Sequence, residues 1–301
     1  MSTPRIVVVG SINMDLTTSV ARFPAPGETL LGTAFATTVG GKGSNQAIAA
    51  AKAGGDVSFI GAVGDDGFGT QLRDTLEGAG VDTALLRSVD GPSGVAAITV
   101  SEDAENNIIV VSGANSSVTS LSDADLDAIA HADVLLCQLE IPLDTVTAAA
   151  QHAHANGTTV ILNPSPVQDL PGALIESVDI LIVNQTESDQ LAAVTGHVRY
   201  LVTTLGAGGA DLRSGEKTIH ADSPAVTPVD TTGAGDAFTG AFAVEWVQDQ
   251  ERALQFGATA GSLATTVRGA SVSSPTRAAI EKVLKLGLTL TRKARLDPDT
   301  V

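Results

Sequence analysis

The segment with the clearest chemical potential is a glycine-rich turn that leads into an apolar stretch. Residues 230–238 read DTTGAGDAF, so Gly233 and Gly235 come just before Asp236. Glycines before a helix let main-chain N–H groups approach an anion, and the helix dipole adds attraction for negative charge. A carboxylate where that helix begins can take a proton from a hydroxyl that attacks a phosphoryl group. The segment predicts a phosphate cradle with Asp236 as general base and first helical residue, although a lone GxGD pattern is more often an ordinary helix cap.

A second glycine-rich segment is typical of a pocket for a polyol. Residues 39–47 read VGGKGSNQA, which places the donors Lys42 and Asn45 near the start of a helix without forming the phosphate-binding G-x-x-x-x-G-K-[ST] pattern. Asn13 and Asp15 follow the first strand and lie on one face of an extended segment, where paired acceptors suit sugar hydroxyls. Local capping and strand-end turns explain the same residues without a ligand.

Three further polar residues follow buried strands. Glu140, Asn184 and Glu187 are predicted to converge at the carboxyl ends of these strands, where open α/β sheets bind their ligands. Asn184 and Glu187 are one helical turn apart and can face one Mg²⁺ hydration shell, although they equally suit a helix start. The five histidines form no metal-binding pair, so a zinc hydrolase is unsupported.

The elements that must position these residues alternate between strands and helices. The strands are short, β-branched and apolar throughout, which predicts burial on both faces; they cover residues 6–9, 57–60, 134–137, 159–162, 180–183 and 201–204. The helices have a 3.6-residue apolar period and cover residues 44–53, 67–79, 122–131, 143–156, 186–195, 236–247, 252–266 and 276–286. This alternation predicts an α/β fold with a mainly parallel central sheet.

Two segments interrupt the alternation. Residues 12–39 and 94–111 contain strand-like runs joined by polar turns, and they predict a small antiparallel β lid inserted into one domain that spans residues 1–301.

Composition excludes several classes of protein. The chain has 301 residues, 43% hydrophobic residues and a formal charge of −17, so it is too apolar for intrinsic disorder and too acidic for unspecific binding to nucleic acid or a membrane surface. A single cysteine, Cys137, cannot form an intramolecular disulfide, and no apolar run approaches the length of a membrane span. We therefore expect a cytoplasmic protein.

Together and in this order, these motifs resemble the ribokinase/PfkB family of carbohydrate kinases. The two family signatures resemble residues 40–51 and 230–238, and further landmarks lie at residues 10–15, 23–29, 64–69, 113–115, 163–166 and 268–270. The resemblance covers residues 5–286 and is greatest to the members that phosphorylate ribose, because GSINxD, PGET, GGKGxNQ and QLE occur together. It implies a three-layer α/β/α sandwich with a small β lid.

The resemblance also implies a role for each matching position. The sugar-binding positions are Asn13, Asp15, Gly41, Lys42, Asn45, Glu140 and Asp236. The catalytic positions are the base Asp236 and an anion hole formed by Gly233, Ala234 and Gly235 with the Asp236 amide. The ATP-binding positions are Asn184, Thr204, Gly206, Gly209 and Gly235, and Glu187 reaches Mg²⁺ through water. The positions around an activating monovalent cation, K⁺, are Asp230, Thr232, Ala264, Val267, Gly269 and Ser273.

The implied reaction is ATP-dependent phosphorylation of D-ribose at its 5-hydroxyl, in a homodimer paired through the lid. A kinase for fructose, 2-deoxyribose or a nucleoside, and a non-catalytic sugar or nucleotide sensor, remain as alternatives. One departure from the family concerns residues 197–199, which alone separate Gly196 from the next strand, where relatives carry a further helix. We expect its loss to leave an exposed apolar patch on one face of the sheet.

Overall fold

The computed structural model describes residues 3–103 and 105–296, and it describes side chains as far as residue 286. In chain order, the strands are β1 (Arg5–Val9), β2 (Asn13–Val20), β3 (Ala34–Gly40), β4 (Asp56–Gly64), β5 (Val81–Asp82), β6 (Leu86–Val89), β7 (Gly94–Ser101), β8 (Asn106–Val111), β9 (Val134–Cys137), β10 (Thr159–Leu162), β11 (Ile180–Asn184), β12 (Tyr200–Thr204), β13 (Ala210–Ser214) and β14 (Lys217–Ala221). The helices are α1 (Lys42–Lys52), α2 (Gly67–Gly78), α3 (Asp123–His131), α4 (Leu143–Ala155), α5 (Gly172–Ile175), α6 (Gln185–Gln190), α7 (Ala192–Thr195), α8 (Ala234–Trp246), α9 (Gln250–Ala264) and α10 (Arg277–Leu296).

The main sheet has the strand order β14-β13-β12-β11-β10-β9-β1-β4-β5, with β6 also paired to β4. Every pairing from β12 to β5 is parallel, and only the two pairings of β13, with β12 and with β14, are antiparallel, at one edge. The predicted, mainly parallel α/β sheet is confirmed.

Both faces of this sheet are covered, as the apolar strands predict. In β1, Ile6 and Val8 belong to a core cluster that includes residues of α1, α8 and α9, whereas Val7 and Val9 belong to a second cluster with residues of α3 and α4. Successive side chains of a strand point to opposite faces, so one strand contributes to two cores. The result is a three-layer α/β/α sandwich.

The smaller sheet has the order β3-β2-β7-β8 and is separate from the main sheet. Its outer pairings are antiparallel, as predicted, but its middle pair, β2 with β7, is parallel. Hydropathy patterns identify such strands without fixing the relative direction of two segments about 80 residues apart in the chain.

The segment predicted as one helix over residues 186–195 is two short helices, α6 and α7, which meet at Leu191. The break lets Leu191, 6% exposed, and Val194 pack on the sheet face where relatives are expected to have another helix. Val198 in the short connection is only 8% exposed, and Arg213 bonds the carbonyl of Thr195 at 2.6 Å. The expected exposed patch is therefore wrong, because these few side chains cover that face themselves.

The last helix extends ten residues beyond its predicted end at Leu286. Among the described residues, no helix combines the length and apolar character that crossing a membrane requires.

Candidate active site

Helix α8 begins at Ala234, so Asp236 is its third residue and the predicted start at Asp236 is wrong. The reason is Gly233, the residue before the helix, which adopts a left-handed conformation with φ of 75°. A Cβ atom on Gly233 would lie 2.7 Å from the Cα atom of Ala270. The amide of Ala234, the first of α8, donates to the Thr231 carbonyl at 3.2 Å. The first amides of a helix have no partner within the helix, and this is what lets a helix start bind an anion.

The carboxylate of Asp236 is 8% exposed and held by two neighbouring side chains of α1. Asn45 Nδ2 donates to Asp236 Oδ2 at 3.0 Å, and Gln46 Nε2 donates to Asp236 Oδ1 at 2.9 Å. Burial raises the pKa of Asp236 above its ordinary value, while the charge of Lys42 and the two amide hydrogen bonds oppose that rise. A buried carboxylate with a raised pKa and fixed orientation suits proton abstraction.

Two further carboxylates lie near Asp236. Burial raises the pKa of Asp15 to about 7, and the negative charges of Glu140 and Asp236 add to the rise. Glu140 Oε2 accepts hydrogen bonds from the Ser11 hydroxyl at 2.5 Å and from the Lys42 amide at 2.9 Å. The structure thus brings together five of the predicted sugar-site residues: Asp15, Lys42, Asn45, Glu140 and Asp236.

The amide of Asn13 has its orientation set by Asn115. Asn115 Oδ1 accepts from the Ile12 amide at 2.9 Å, so its Nδ2 faces the other way and donates to Asn13 Oδ1 at 2.7 Å. Asn13 is predicted as an acceptor for sugar hydroxyls, and its oxygen, which accepts one hydrogen bond from Asn115, has one lone pair left for that role. Because Asn115 fixes the amide, its N–H groups point away from that bond and can also act as donors.

A cavity of about 500 Å³ lies at the start of α8. Its lining includes four of the five residues predicted for ATP, Thr204, Gly206, Gly209 and Gly235, together with Ala234 of the predicted anion hole, but not Asn184. The remaining wall is largely apolar and includes Pro224, Val226, Phe238 and Ala258. An apolar slot beside helix amides fits a molecule with a flat ring at one end and phosphates at the other.

Asn184 and Glu187 form a capping box at the start of α6. The Glu187 amide donates to Asn184 Oδ1 at 2.8 Å, and the Asn184 amide donates to Glu187 Oε2 at 2.9 Å. Within the described residues, neither side chain bonds Glu140, so the predicted convergence of the three is not seen as direct contact. Glu187 Oε1 accepts no hydrogen bond there, which leaves one fixed carboxylate oxygen for a water ligand of Mg²⁺.

The residues predicted around a monovalent cation lie in the loop before α8, at the end of α9 and in the loop after α9. Asp230 connects the two loops. Asp230 accepts from the amides of Thr232 and Gly269, both at 2.9 Å. Burial raises the pKa of Asp230, but the hydrogen bonds from Gly269 and Thr232 and the charge of Arg268 together lower it more, so the net shift is downward. The Ala264 carbonyl accepts from the Val267 amide at 3.2 Å, and Ser273 Oγ donates to the Ala270 carbonyl at 2.7 Å.

In the described part of the chain, no group of three or more His, Cys, Asp or Glu side chains could hold a metal ion. A site for Mg²⁺ or K⁺ made by this chain would therefore combine at most two of these side chains with carbonyls, water or substrate phosphates.

Among the contact residues that the sequence interpretation did not assign, which also include Ser11, two are amides, Gln46 and Asn115. Both are fully or almost fully buried amides, and neither residue type is reactive. Gln46 follows Asn45 in the motif of residues 39–47, and this position next to a predicted sugar-binding residue is the sequence feature that could have identified it. Asn115 lies in a landmark segment at residues 113–115, but only the fold places it against Asn13.

Comparison with known proteins agrees with this geometry. The sequence pattern of the pfkB family carbohydrate kinases matches residues 3–277. A ribokinase of Haemophilus influenzae is 38% identical over 292 residues, covering 90% of this chain and 95% of the relative. A deoxyribokinase of Salmonella typhi is 33% identical over 305 residues, covering 93% of this chain and 99% of the relative.

A solved structure of Arabidopsis thaliana ribokinase, complexed with ribose and ATP, superposes with a TM-score of 0.88 at 37% identity. The superposition covers 95% of this chain and 99% of the plant chain. The match extends over the main sheet, the smaller sheet and the segments that carry the candidate site. This chain belongs to the pfkB family of carbohydrate kinases.

Proposed function

We propose that this protein transfers the γ-phosphoryl group of ATP to the 5-hydroxyl of D-ribose. The observation that carries the proposal is the placement of Asp236 in the first turn of α8, near the carboxylates of Asp15 and Glu140, while its neighbours Ala234 and Gly235 line the 500 Å³ cavity. A base in that position touches an acceptor hydroxyl on one side while the helix amides face a phosphate on the other.

The proposed step is an in-line displacement at the γ-phosphorus. The 5-oxygen of the sugar forms the new bond to phosphorus while the bond from phosphorus to the bridging oxygen breaks, and ADP leaves with that electron pair. The hydroxyl proton passes to the carboxylate of Asp236. The amides of Gly233, Ala234, Gly235 and Asp236 form the proposed anion hole and stabilise charge on the transferring group.

The sugar is held by the residues around Asp236. Asp15 and Glu140 accept from hydroxyls, and the N–H groups of Asn13 donate to a sugar oxygen. Asn45 Oδ1 is buried without a hydrogen-bond partner within the described residues, so it is free to accept from a sugar hydroxyl. Gly41 and Lys42, at the start of α1, complete the proposed pocket.

The nucleotide occupies the cavity at the start of α8. We propose that Thr204, Gly206 and Gly209 line its base and ribose, and that Asn184 and Glu187 lie near its phosphates. Mg²⁺, held through water by Glu187, would neutralise phosphate charge.

The monovalent cation belongs beside the anion hole. We propose K⁺ at the loops that Asp230 joins, with carbonyl and carboxylate oxygens supplied by Asp230, Thr232, Ala264, Val267, Gly269 and Ser273. The lowered pKa of Asp230 supports this, because it keeps the carboxylate charged under ordinary conditions.

We also propose that the chain forms one kinase domain and that the smaller sheet is its lid. The lid excludes water, which competes with the sugar as phosphoryl acceptor. Its strand β8 exposes a continuous apolar run, including Ile109 at 68% and Val111 at 56% exposure. This surface supports a homodimer paired through the lid. The cytoplasmic location stays a prediction from the sequence.

A panel of acceptors tests the proposed substrate. Sugar-dependent ADP release is measured with D-ribose, 2-deoxy-D-ribose, D-fructose and adenosine, with and without K⁺. We expect the highest kcat/KM for D-ribose and a rise in rate with K⁺. A higher kcat/KM for 2-deoxy-D-ribose would replace the proposal with the alternative that the Salmonella relative represents. No release with any acceptor would favour a sensor.

A further inference from the structure

A chain of buried amide side chains connects Asp236 to the main sheet. Gln46 Nε2 donates both to Asp236 Oδ1 at 2.9 Å and to Asn163 Oδ1 at 3.1 Å. Asn163 Nδ2 in turn donates to the carbonyl of Ile182 in β11 at 2.9 Å. On the opposite side, Gln138 Nε2 donates to Gln46 Oε1 at 2.6 Å.

The carbonyl of Ile182 fixes the direction of the whole chain. Because that carbonyl only accepts, Asn163 must present Nδ2 to it and Oδ1 to Gln46. Gln46 then faces two oxygens, Asn163 Oδ1 and Asp236 Oδ1, so its N–H group must point toward them. A flipped Gln46 would set its oxygen against these two oxygens and its N–H group against the N–H group of Gln138, so all three hydrogen bonds would be lost.

Gln46 is fully buried, with no exposed surface. Both N–H groups of Gln46 are used, by Asp236 and Asn163, and its oxygen accepts from Gln138. Its neighbour Asn45, by contrast, has an oxygen without a partner within the described residues. Asn45 therefore has an unbonded polar atom for a ligand, whereas each polar atom of Gln46 already has a protein partner.

We propose that Gln46 is a positioning residue for the base, held by Asn163 and Gln138 so that its amide N–H always faces Asp236 Oδ1. This inference rests on the proposed function, in which Asp236 takes the proton of the acceptor hydroxyl. Gln46 itself touches neither sugar nor nucleotide. Its donor fixes the plane of the carboxylate and stabilises the charged form that accepts a proton.

The pKa of Asp236 also depends on the ionisable side chains that face it. Lys42 on α1 favours the ionised form of Asp236, whereas Glu140 after β9 and Asp15 on β2 oppose it. Removing the Gln46 donor leaves these charges in place. The pKa of Asp236 then rises further, because burial continues to penalise its charge with one hydrogen bond fewer.

The experiment compares wild type with Gln46→Met, which keeps the length of the side chain and removes both donor and acceptor. We expect kcat at pH 7 to fall about tenfold or more, and KM for ribose to change less than about threefold. The acid limb of the kcat profile is expected to move upward by about one pH unit. A residue that only fills space would lower the melting temperature without moving the pH profile.

Gln138→Met is the second variant, and it leaves both hydrogen bonds to Asp236 intact. It removes the donor to Gln46 Oε1, so Gln46 is less firmly oriented. We therefore expect a smaller fall in kcat and a smaller upward shift of the acid limb than in Gln46→Met. It also keeps the test valid if Gln46→Met does not fold.

Thr145→Val is the matched control, because Thr145 is 2% exposed and its hydroxyl donates to the Val118 carbonyl in another part of the fold. We expect it to lose stability and keep the pH profile.

A direct titration separates this inference from the proposed function. The ¹³C carboxyl signal of Asp236, identified by its loss in Asp236→Asn, is followed against pH in the substrate-free protein. An upward shift of its midpoint in Gln46→Met supports the inference even if wild type does not act on ribose. An unchanged midpoint and an unchanged acid limb in both variants would overturn the inference and leave the proposed function standing.

Discussion

Three carboxylates meet at the proposed sugar site, and each is held in a different environment. Asp236 accepts from two amides, Glu140 accepts from the Ser11 hydroxyl and a main-chain amide, and Asp15 has a pKa raised to about 7 by burial and its charged neighbours. Their chemical types were predictable from the sequence because each lies in a motif. Their different environments were not, because burial and hydrogen-bond partners come from other segments of the chain.

The raised pKa of Asp15 makes a prediction about stability. Well below its ordinary pKa of 3.8, the Asp15 carboxyl is protonated in both the folded and the unfolded chain, so it has little effect on unfolding. As pH rises toward 8, the unfolded chain ionises first, and the folded state loses the stability that it has from the neutral form. We expect Asp15→Asn to raise the melting temperature of the sugar-free protein at about pH 8 by at least about 2 °C, with no rise at about pH 3.

Thermal denaturation at the two pH values checks this expectation. Asp74→Asn is the control, because Asp74 is exposed on α2 and away from the carboxylate group. If Asp15→Asn shows the same difference from wild type at both pH values, the raised pKa of Asp15 is incorrect. The same variant is expected to bind ribose at least about tenfold more weakly, since one charged acceptor is lost.

At the scale of elements, the site depends on the close approach of α1 and α8. Helix periodicity predicted both helices, and the strand ends predicted which edge of the sheet they reach. The distance between them could not be predicted from hydropathy, since it depends on a contact at Gly240. Nor could the break at Leu191, because the apolar pattern runs through that residue and only packing on the sheet shows that the helix must bend.

Gly240→Ala tests the importance of that helix contact. A Cβ atom on Gly240 would lie 2.5 Å from the Gln46 carbonyl oxygen and 2.7 Å from Ala49 Cβ. Alanine normally favours a helix, but here the two helices must separate, which costs about 1–3 kcal/mol. We expect a lower melting temperature and a loss of kcat of at least about tenfold, because Asp236 moves relative to Asn45 and Gln46.

Gly78→Ala provides the matched control for this change. Gly78 ends α2, and a Cβ atom there would meet no other atom within 4 Å. Its variant is expected to keep both stability and activity. Equal behaviour of the two variants would show that the spacing of α1 and α8 has no influence on the reaction.

At the scale of the whole molecule, a protein with a charge of −17 is proposed to bind a polyanion. The overall field repels ATP, so binding must depend on local features, namely the amides that begin α8 and the ions that accompany the phosphates. The acidic composition argues against an extended basic surface. It could not indicate a phosphate site, because main-chain amides do not contribute to a count of charged residues.

Because the protein and ATP are both negatively charged, we predict that nucleotide binding depends strongly on Mg²⁺. By calorimetry without sugar, we expect ATP to bind at least about tenfold more weakly in EDTA than in Mg²⁺ at low ionic strength. Adenosine, which carries no phosphate, is the control and should bind equally in both buffers. Equal affinity for ATP with and without Mg²⁺ would refute the proposed charge balance.

The proposed homodimer is also a property of the whole molecule. Ile109→Lys places a charge on the apolar run of β8, and we expect sedimentation velocity to show monomers where wild type shows dimers. Lys217→Glu changes charge at β14, at the far edge of the main sheet, and should leave the dimer intact. A monomeric wild type, or a dimeric Ile109→Lys, would remove the lid from the proposed interface.

The central claim is that Asp236 takes the proton from the 5-hydroxyl of ribose. The most direct test measures turnover of D-ribose and ATP by wild type and Asp236→Asn, with ribose binding followed by calorimetry and the product identified by ³¹P NMR. We predict that wild type forms ribose 5-phosphate, and that Asp236→Asn loses at least about 10³-fold in kcat while it still binds ribose. A variant with near wild-type kcat would contradict the account.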